Sequence, residues 1–212
     1  MSENNGFFIT FEGPEGAGKS SQVAALAEYL TSRGRECILT REPGGTGLAE
    51  LIRQVVKSHN SGETVHDETE LLLMEAARAQ HVREKILPAL NQNKVVICDR
   101  FSDSTRAYQG GARKLPMAVI DYLNDFASAG RKPDLTILLD LSPEAGFARI
   151  SSREPEGFDR FENEKLDFHR QVRQAFLDTA EAEPERFCVI DATLSKEEIS
   201  EKIRQVIDVA LF

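Results

Sequence analysis

The sequence predicts an α/β fold, a doubly wound three-layer domain on a parallel sheet of five strands, and three observations carry that reading. Five short runs, rich in β-branched and aromatic residues, are almost continuously apolar: FFITFE (7–12), CILTRE (37–42), VVICD (95–99), LTILLDL (135–141) and FCVIDA (187–192). Such runs suit strands covered on both faces. Amphipathic helical patterns lie between them, and strand–helix alternation implies right-handed parallel crossovers. The first run also leads straight into a glycine-rich stretch, which ends a strand and opens a helix.

The elements follow in order. After the first strand, SSQVAALAEYLTSRG places Val23, Leu26, Ala27 and Leu30 on one helical face, and Gly34 supplies a stop. LAELIRQVVKS follows the second strand, and ETELLLMEAARAQHVREKILPAL precedes the third. MAVIDYLNDFASAG precedes the fourth, and KEEISEKIRQVIDVAL follows the fifth. Residues 151–171, SSREPEGFDRFENEKLDFHRQ, are dense in charge and carry EPEG, so they read as an exposed, mobile lid over about 149–163, with a solvated loop as the alternative. No repeat or low-complexity tract divides the 212 residues, which suit a single domain, 1–212, able to bury its own core.

Composition narrows the partners. The net charge of −9 argues against nucleic acid as the main partner, yet leaves room for a small anion held by concentrated local positive charge. Cys37, Cys98 and Cys188 each fall within a strand and read as reduced core thiols of a cytoplasmic protein. No Cys/His spacing suggests zinc. The polar start MSENNG lacks a basic segment and an apolar one, so no secretory signal is expected, and no apolar run approaches the ~20 residues that span a bilayer.

GPEGAGKS (13–20) matches G-x-x-x-x-G-K-[ST] between a strand and a helix. Its glycines let backbone N–H groups converge on phosphate oxygens, Lys19 adds a point charge, and Ser20 can ligate Mg²⁺. Glu15 in the middle of this loop is the anomaly, because a carboxylate beside bound phosphates is repelled. Asp99, at the end of VVICD, suits a magnesium-side carboxylate, although strands also end in Asp as a turn residue. Arg41 and Arg100 stand at carboxyl ends of parallel strands, where open α/β sheets bind ligands. Met74 and Arg78 share one helix face, and from spacing alone Met74 fits the core as well as a pocket. Ser104, Thr105, Tyr108 and Gln109 in SDSTRAYQGG suit a nucleobase and sugar, though composition alone favours a polar loop turning at Gly110-Gly111.

A GTPase switch is disfavoured. Its N-K-x-D is absent, since Asn93-Lys94 runs into VV, and Asp99 is followed by RFS rather than D-x-x-G spacing. A small kinase needs a second anion site and a lid carrying arginines that excludes water. Arg149, Arg153 and Arg160 lie in or beside the lid. A nucleotide-dependent binding module stands as the non-enzymatic alternative.

FEGPEGAGKSSQ, TREPGGT, LLLMEAARAQHV, DRFSDSTRAYQGG and FDRFE, in this order over nearly the whole chain, resemble the bacterial thymidylate kinases that carry their catalytic arginine in the lid. The resemblance implies the three-layer P-loop nucleoside-monophosphate-kinase fold and transfer of the γ-phosphoryl of ATP to dTMP with Mg²⁺. Another nucleotide or nucleoside kinase on the same core is the alternative. By resemblance, ATP is held by Gly13, Pro14, Glu15, Gly16, Ala17, Gly18, Lys19, Ser20, Ser21 and Arg149, and the metal by Ser20 and Asp99. Arg78 and Arg100 are implied to hold the acceptor phosphate, helped by Arg53 and Arg41, while Ser104, Thr105 and Gln109 serve the nucleoside. Tyr108 is implied to press on the deoxyribose at C2′, and Glu15 to accept from the 3′-hydroxyl. Lys19, Arg100 and Arg153 form the catalytic set, with Arg149 or Arg160 as substitutes for Arg153. Met74 stands where the family usually has a stacking phenylalanine, keeping a polarizable apolar contact without a ring. The family's habit also implies a homodimer.

Overall fold

The computed structural model describes residues 6–57, 63–151 and 159–212. Its strands are β1 (Phe7–Glu12), β2 (Cys37–Arg41), β3 (Val95–Asp99), β4 (Leu135–Asp140) and β5 (Phe187–Asp191). They form one sheet in the order β2-β3-β1-β4-β5, and every pairing is parallel. All five fall within the apolar runs. The helices are α1 (Lys19–Ser32), α2 (Gly47–Lys57), α3 (Asp67–His81), α4 (Leu87–Asn91), α5 (Ser102–Thr105), α6 (Met117–Ser128), α7 (Pro143–Ser151), α8 (Leu166–Ala182) and α9 (Lys196–Leu211).

One face of the sheet buries Ile9, Phe11, Val95, Ile97 and Ile137 against Val23, Leu26 and Leu30 of α1 and Ile199, Ile203 and Ile207 of α9. The other face carries Phe8, Val96 and Cys98 against Val82, Ile86 and Leu90 of the continuous helical stretch that runs from α3 into α4, with Phe8 and Phe101 edge-on at 4.9 Å. A third cluster packs Tyr108, Leu138, Phe161, Phe168, Val172 and Phe176 together. The strand order places β1 and β3 centrally, so both phosphate loop and Asp99 emerge at the middle of the sheet's carboxyl end.

Four expectations are corrected. The strands are not all covered on both faces: β2 and β5 are edges, and Leu39 and Val189 are exposed. For the same reason only Cys98 is a fully buried thiol, while Cys37 and Cys188 on the edge strands are half-buried. Residues 102–112 are not a polar loop. They form α5 and a wide π-helical turn, Arg106–Ala112. Gly110 and Gly111 serve close packing there rather than a reversal, since a Cβ would meet Met117 Cε at 2.6 Å and Ala175 Cβ at 2.4 Å respectively. Finally, 159–171 is not a solvated segment, because Phe161, Phe168 and His169 are buried and α8 begins at Leu166. The long helical pattern from Glu68 onward is interrupted by a second π-turn, Val82–Ile86, just ahead of Pro88, whose missing N–H breaks the regular ladder.

Candidate active site

The loop between β1 and α1 takes backbone angles that side-chain-bearing residues avoid. Gly13, Gly16 and Gly18 have φ of 137°, 73° and 88°. Lys19 opens α1 from inside this loop and is buried, donating to the carbonyls of Gly13 at 3.0 Å and Pro14 at 2.9 Å. An ammonium has three N–H donors, so one is left for a ligand. Burial, then the neighbouring Arg100, push the Lys19 pKa down, against Glu15 and Asp99, which pull it up. An arriving anion relieves that pressure.

Ser20 Oγ donates to Asp99 Oδ2 at 2.7 Å, bringing a hydroxyl from the first turn of α1 and the carboxylate that ends β3 to one point. These are hard oxygen donors of the kind Mg²⁺ takes, and Mg²⁺ completes its shell with waters and substrate phosphates rather than an all-protein cage. The described residues hold no cluster of three or more His, Cys, Asp or Glu suited to a metal.

Arg100 follows Asp99 with φ of 70°, strain worth about 1–3 kcal/mol for a non-glycine residue. Two hydrogen bonds impose it: Arg100 N–H to the Phe11 carbonyl at 2.9 Å, and Phe101 N–H to Glu12 Oε1 at 2.7 Å. The turn sends the guanidinium back over the phosphate loop. There it meets Glu15 Oε1 at 2.5 Å and Ser104 Oγ at 3.1 Å, with Tyr108 5.2 Å below the guanidinium carbon. Tyr108 also donates to Glu15 at 3.2 Å. Burial works against ionisation of Glu15, but Arg100 and then Lys19 outweigh it and hold its carboxyl at about 2. The anomalous loop acid is therefore clamped by Arg100 and Tyr108.

Glu12 is the complementary case. Fully buried under this turn, it accepts from Phe101 N–H and from Ser104 Oγ at 2.6 Å. Burial, then Asp103, raise its carboxyl to about 8.

Arg78 lies deeper. Its guanidinium is buried and bonded to Glu42 at 2.8 Å, Glu75 at 2.5 Å, Asn124 at 2.6 Å and Thr105 Oγ1 at 3.1 Å. Burial opposes its charge, and Glu42 and Glu75 more than restore it, raising its pKa. Glu42 is in turn held by His81 at 2.9 Å, whose other nitrogen meets Thr40 at 2.6 Å.

Glu15, Lys19, Asp99, Arg100, Arg78 and Gln109 all open onto one cleft of about 390 Å³. The same cleft is lined by Gly16, Gly18, Ser20, Ser21, Arg41, Arg53, Met74, Ser104, Thr105 and Tyr108. Met74 does both things expected of it, lining the cleft while packing on the Tyr108 cluster. Arg41 sits at the cleft's outer edge, paired with Glu50 at 3.0 Å, and Arg53 donates to the Pro43 carbonyl at 2.8 Å. Arg149 donates to the carbonyls of Gly16 at 3.4 Å and Ala192 at 2.9 Å, beside the phosphate loop.

With this geometry in view, comparison with known proteins is decisive. The thymidylate kinase family model matches residues 11–203. The chain belongs to the thymidylate kinase family. It is 52% identical over 190 residues to a thymidylate kinase of Desulfosudis oleivorans, spanning 87% of this chain and 88% of that one. A Pseudomonas fluorescens thymidylate kinase is 55% identical over 187 residues, 88% of each chain. The crystal structure of thymidylate kinase from Ehrlichia chaffeensis superposes with a TM-score of 0.78 at 34% identity, over 96% of this chain and 99% of that one. The P-loop nucleoside-monophosphate-kinase fold and a phosphotransferase activity follow.

Set against the thymidylate kinase expectations, the lid arginines separate. Arg153 lies outside the described residues, as does 152–158 of the lid. Arg160 is tied away from the phosphate loop, donating to the Val56 carbonyl at 3.0 Å and pairing with Glu70 at 2.5 Å. Sequence reasoning missed Glu12, Glu42, Glu70, His81 and Asn124, which hold the site arginines and polar groups from behind. It also missed Lys57, paired with Asp159 at 2.6 Å, and Phe161 at the cleft wall. Only FDRFE carried a signal for the last of these. No helix among the described residues is long and apolar enough to cross a membrane.

Proposed function

We propose that this thymidylate kinase aligns ATP and dTMP end to end in this cleft, with the roles that follow. The observation that carries the reading is the position of Arg100, fixed between Glu15 and Ser104 where phosphate loop and Asp99 meet. Two anionic substrates repel each other, so phosphoryl transfer asks the protein for alignment and positive charge. Lys19 and the loop amides take the donor's β- and γ-phosphates, and Arg100 takes the acceptor phosphate. No general base is required, because a phosphate monoester oxygen is already nucleophilic at neutral pH. Mg²⁺ would be held by Ser20 and Asp99, where it supplies charge neutralisation for the donor phosphates.

Glu15, ionised and acceptor-only, takes the 3′-hydroxyl, and Tyr108 closes on C2′ of the sugar. The tyrosine ring is braced edge-on by Phe161 at 5.9 Å, Phe168 at 6.1 Å and Phe176 at 6.4 Å, so it has little freedom to yield to a 2′-hydroxyl. Arg78 is better assigned to the base end than to the acceptor phosphate, because it is bonded to Thr105 and its charge is already matched by two carboxylates. Gln109 and Met74 complete the thymine pocket. Arg53 and Arg41 support the acceptor side, and Arg153 is the lid arginine.

The test is a panel of acceptors. ADP formation should be strongest with dTMP and weaker with dUMP, UMP, AMP and thymidine. ADP release independent of acceptor would refute the kinase reading. Tyr108→Ala should raise UMP turnover relative to dTMP by about tenfold, and an unchanged ratio would remove Tyr108 from the sugar.

We also propose a homodimer and a cytoplasmic location. α3 packs against both α2 and α6, and these three helices expose Leu48, Leu51, Val55, Leu72, Val119, Tyr122 and Phe126. Apolar surface so grouped marks an interaction face. Phe126→Glu should halve the mass measured by light scattering, whereas an unaltered mass would place the interface elsewhere. Three unbridged cysteines suit a reducing compartment.

A further inference from the structure

Glu70 of α3 is fully buried, accepts hydrogen bonds from Gln109 and Arg113, and forms an ion pair with Arg160. Gln109 Nε2 reaches its Oε1 at 2.6 Å. Arg113 Nη2 reaches its Oε2 at 3.2 Å, and Arg160 Nη2 approaches the same oxygen at 2.5 Å. The phosphoryl-transfer steps above use none of these contacts.

A carboxylate between two guanidinium groups offers acceptor oxygens only. Gln109 can therefore meet it only through its NH₂. The amide is planar, with oxygen and nitrogen on opposite sides, so this contact leaves the Oε1 side for the cleft that Gln109 lines. Among the described residues, the bond to Glu70 is the side-chain hydrogen bond Gln109 makes. Buried almost completely and held at Nε2, the amide has no room to turn over without confronting Glu70 with a carbonyl, oxygen against oxygen.

We infer that Glu70 is a positioning residue for base specificity: it locks the Gln109 amide with its carbonyl toward the base, so that the site accepts the N3–H of thymine and rejects the N3 lone pair of cytosine. The inference rests on the placement of the base beside Gln109 proposed above. Thymine and uracil carry a proton on N3, and cytosine carries a lone pair there. A buried carbonyl set against that lone pair leaves two acceptors facing each other with no donor between them. A free glutamine amide would lack this discrimination, since it can present NH₂ or C=O at similar cost. Glu70 removes the second option. The same carboxylate holds Arg160, so the base reader is also braced by the segment that carries Phe161 into the cleft.

The experiment compares kcat/KM for dTMP and dCMP in the wild type, Glu70→Gln, Gln109→Leu and the double variant. Glutamine at position 70 keeps the length of the side chain but can donate or accept, so the Gln109 amide is released. The dTMP preference over dCMP should fall about tenfold in Glu70→Gln, through KM rather than kcat. In the Gln109→Leu background, the same change at position 70 should leave the ratio unaltered. An undiminished ratio in Glu70→Gln, or an equal loss in both backgrounds, overturns the inference, because a merely structural Glu70 would act whether or not Gln109 is present. Should Glu70→Gln fail to fold by circular dichroism, Glu70→Asp, which withdraws the carboxylate from the Gln109 amide, takes its place in the same comparison. A fall of about tenfold in the dTMP preference over dCMP supports the inference, and an undiminished ratio overturns it. Failure of the underlying reading looks different: the wild type would then show no dTMP-dependent ADP formation.

Discussion

Lys19→Ala is expected to lower kcat by about a thousandfold, in line with removal of a buried charge that faces developing negative charge, while the melting temperature stays near that of the wild type. The two halves of that expectation have one cause. Lys19 is buried beside Arg100, with its pKa pushed down by burial and by that arginine. In the folded protein it is a cation kept at a cost, and removing it relieves repulsion as well as two hydrogen bonds to loop carbonyls. The benefit of the charge appears only when phosphates arrive. A coupled ADP assay at saturating ATP and dTMP, read beside a thermal melt, checks both halves. Near-normal turnover would remove Lys19 from the chemistry, and a collapsed melt would make it structural. Arg153→Ala should give a loss of similar order, and Arg160→Ala a smaller one, since Arg160 is already committed to Glu70 and Val56.

Arg100→Met should be nearly as severe and should also change the pH profile. In the proposed arrangement the guanidinium does two things: it takes the acceptor phosphate, and its charge holds the Glu15 carboxyl down. Loss of the first should cost about a hundredfold or more in kcat/KM for dTMP. Loss of the second exposes Glu15 to burial without its main opposing charge. In the wild type the Glu15 carboxyl sits at about 2, below its ordinary 4.5. A depressed carboxyl contributes stability and function above the ordinary value and loses them as pH falls through the folded value. Wild-type activity should therefore show no acid limb from Glu15 anywhere in the usual assay range. In Arg100→Met burial lifts the carboxyl, and an acid limb should enter that range from below. A pH–rate profile for dTMP turnover measures it. Identical acid limbs in the two proteins would show that Arg100 is not what keeps Glu15 charged.

Short-range patterns were legible because each rests on local chemistry. All five strands were readable from their β-branched content, and the phosphate loop from its glycines, whose positive φ values permit the turn. Arg100, Asp99, Tyr108 and Glu15 were readable because they stand at strand ends or in motifs of specific spacing. The π-helical turn at Arg106–Ala112 was hidden because Gly110 and Gly111 look like a reversal in sequence. Their true use is contact with Met117 and Ala175, which come from helices seven residues and more than sixty residues further along the chain. The start of α8 was hidden in the same way, its charge density suggesting solvent while Phe161, Phe168 and His169 turned inward.

What the sequence by itself determined is the alternation of elements, the glycine-rich loop between β1 and α1, and the set of cationic side chains near it. Only the tertiary structure decided how those cations are shared out. Arg78 is matched by Glu42 and Glu75, Arg160 by Glu70, and Arg100 by Glu15 at the cleft itself. The physical reason is that a charge buried without a partner is too costly to keep, and the partners come from strands and helices far apart in the chain, so no local pattern announces which arginine each acid will hold.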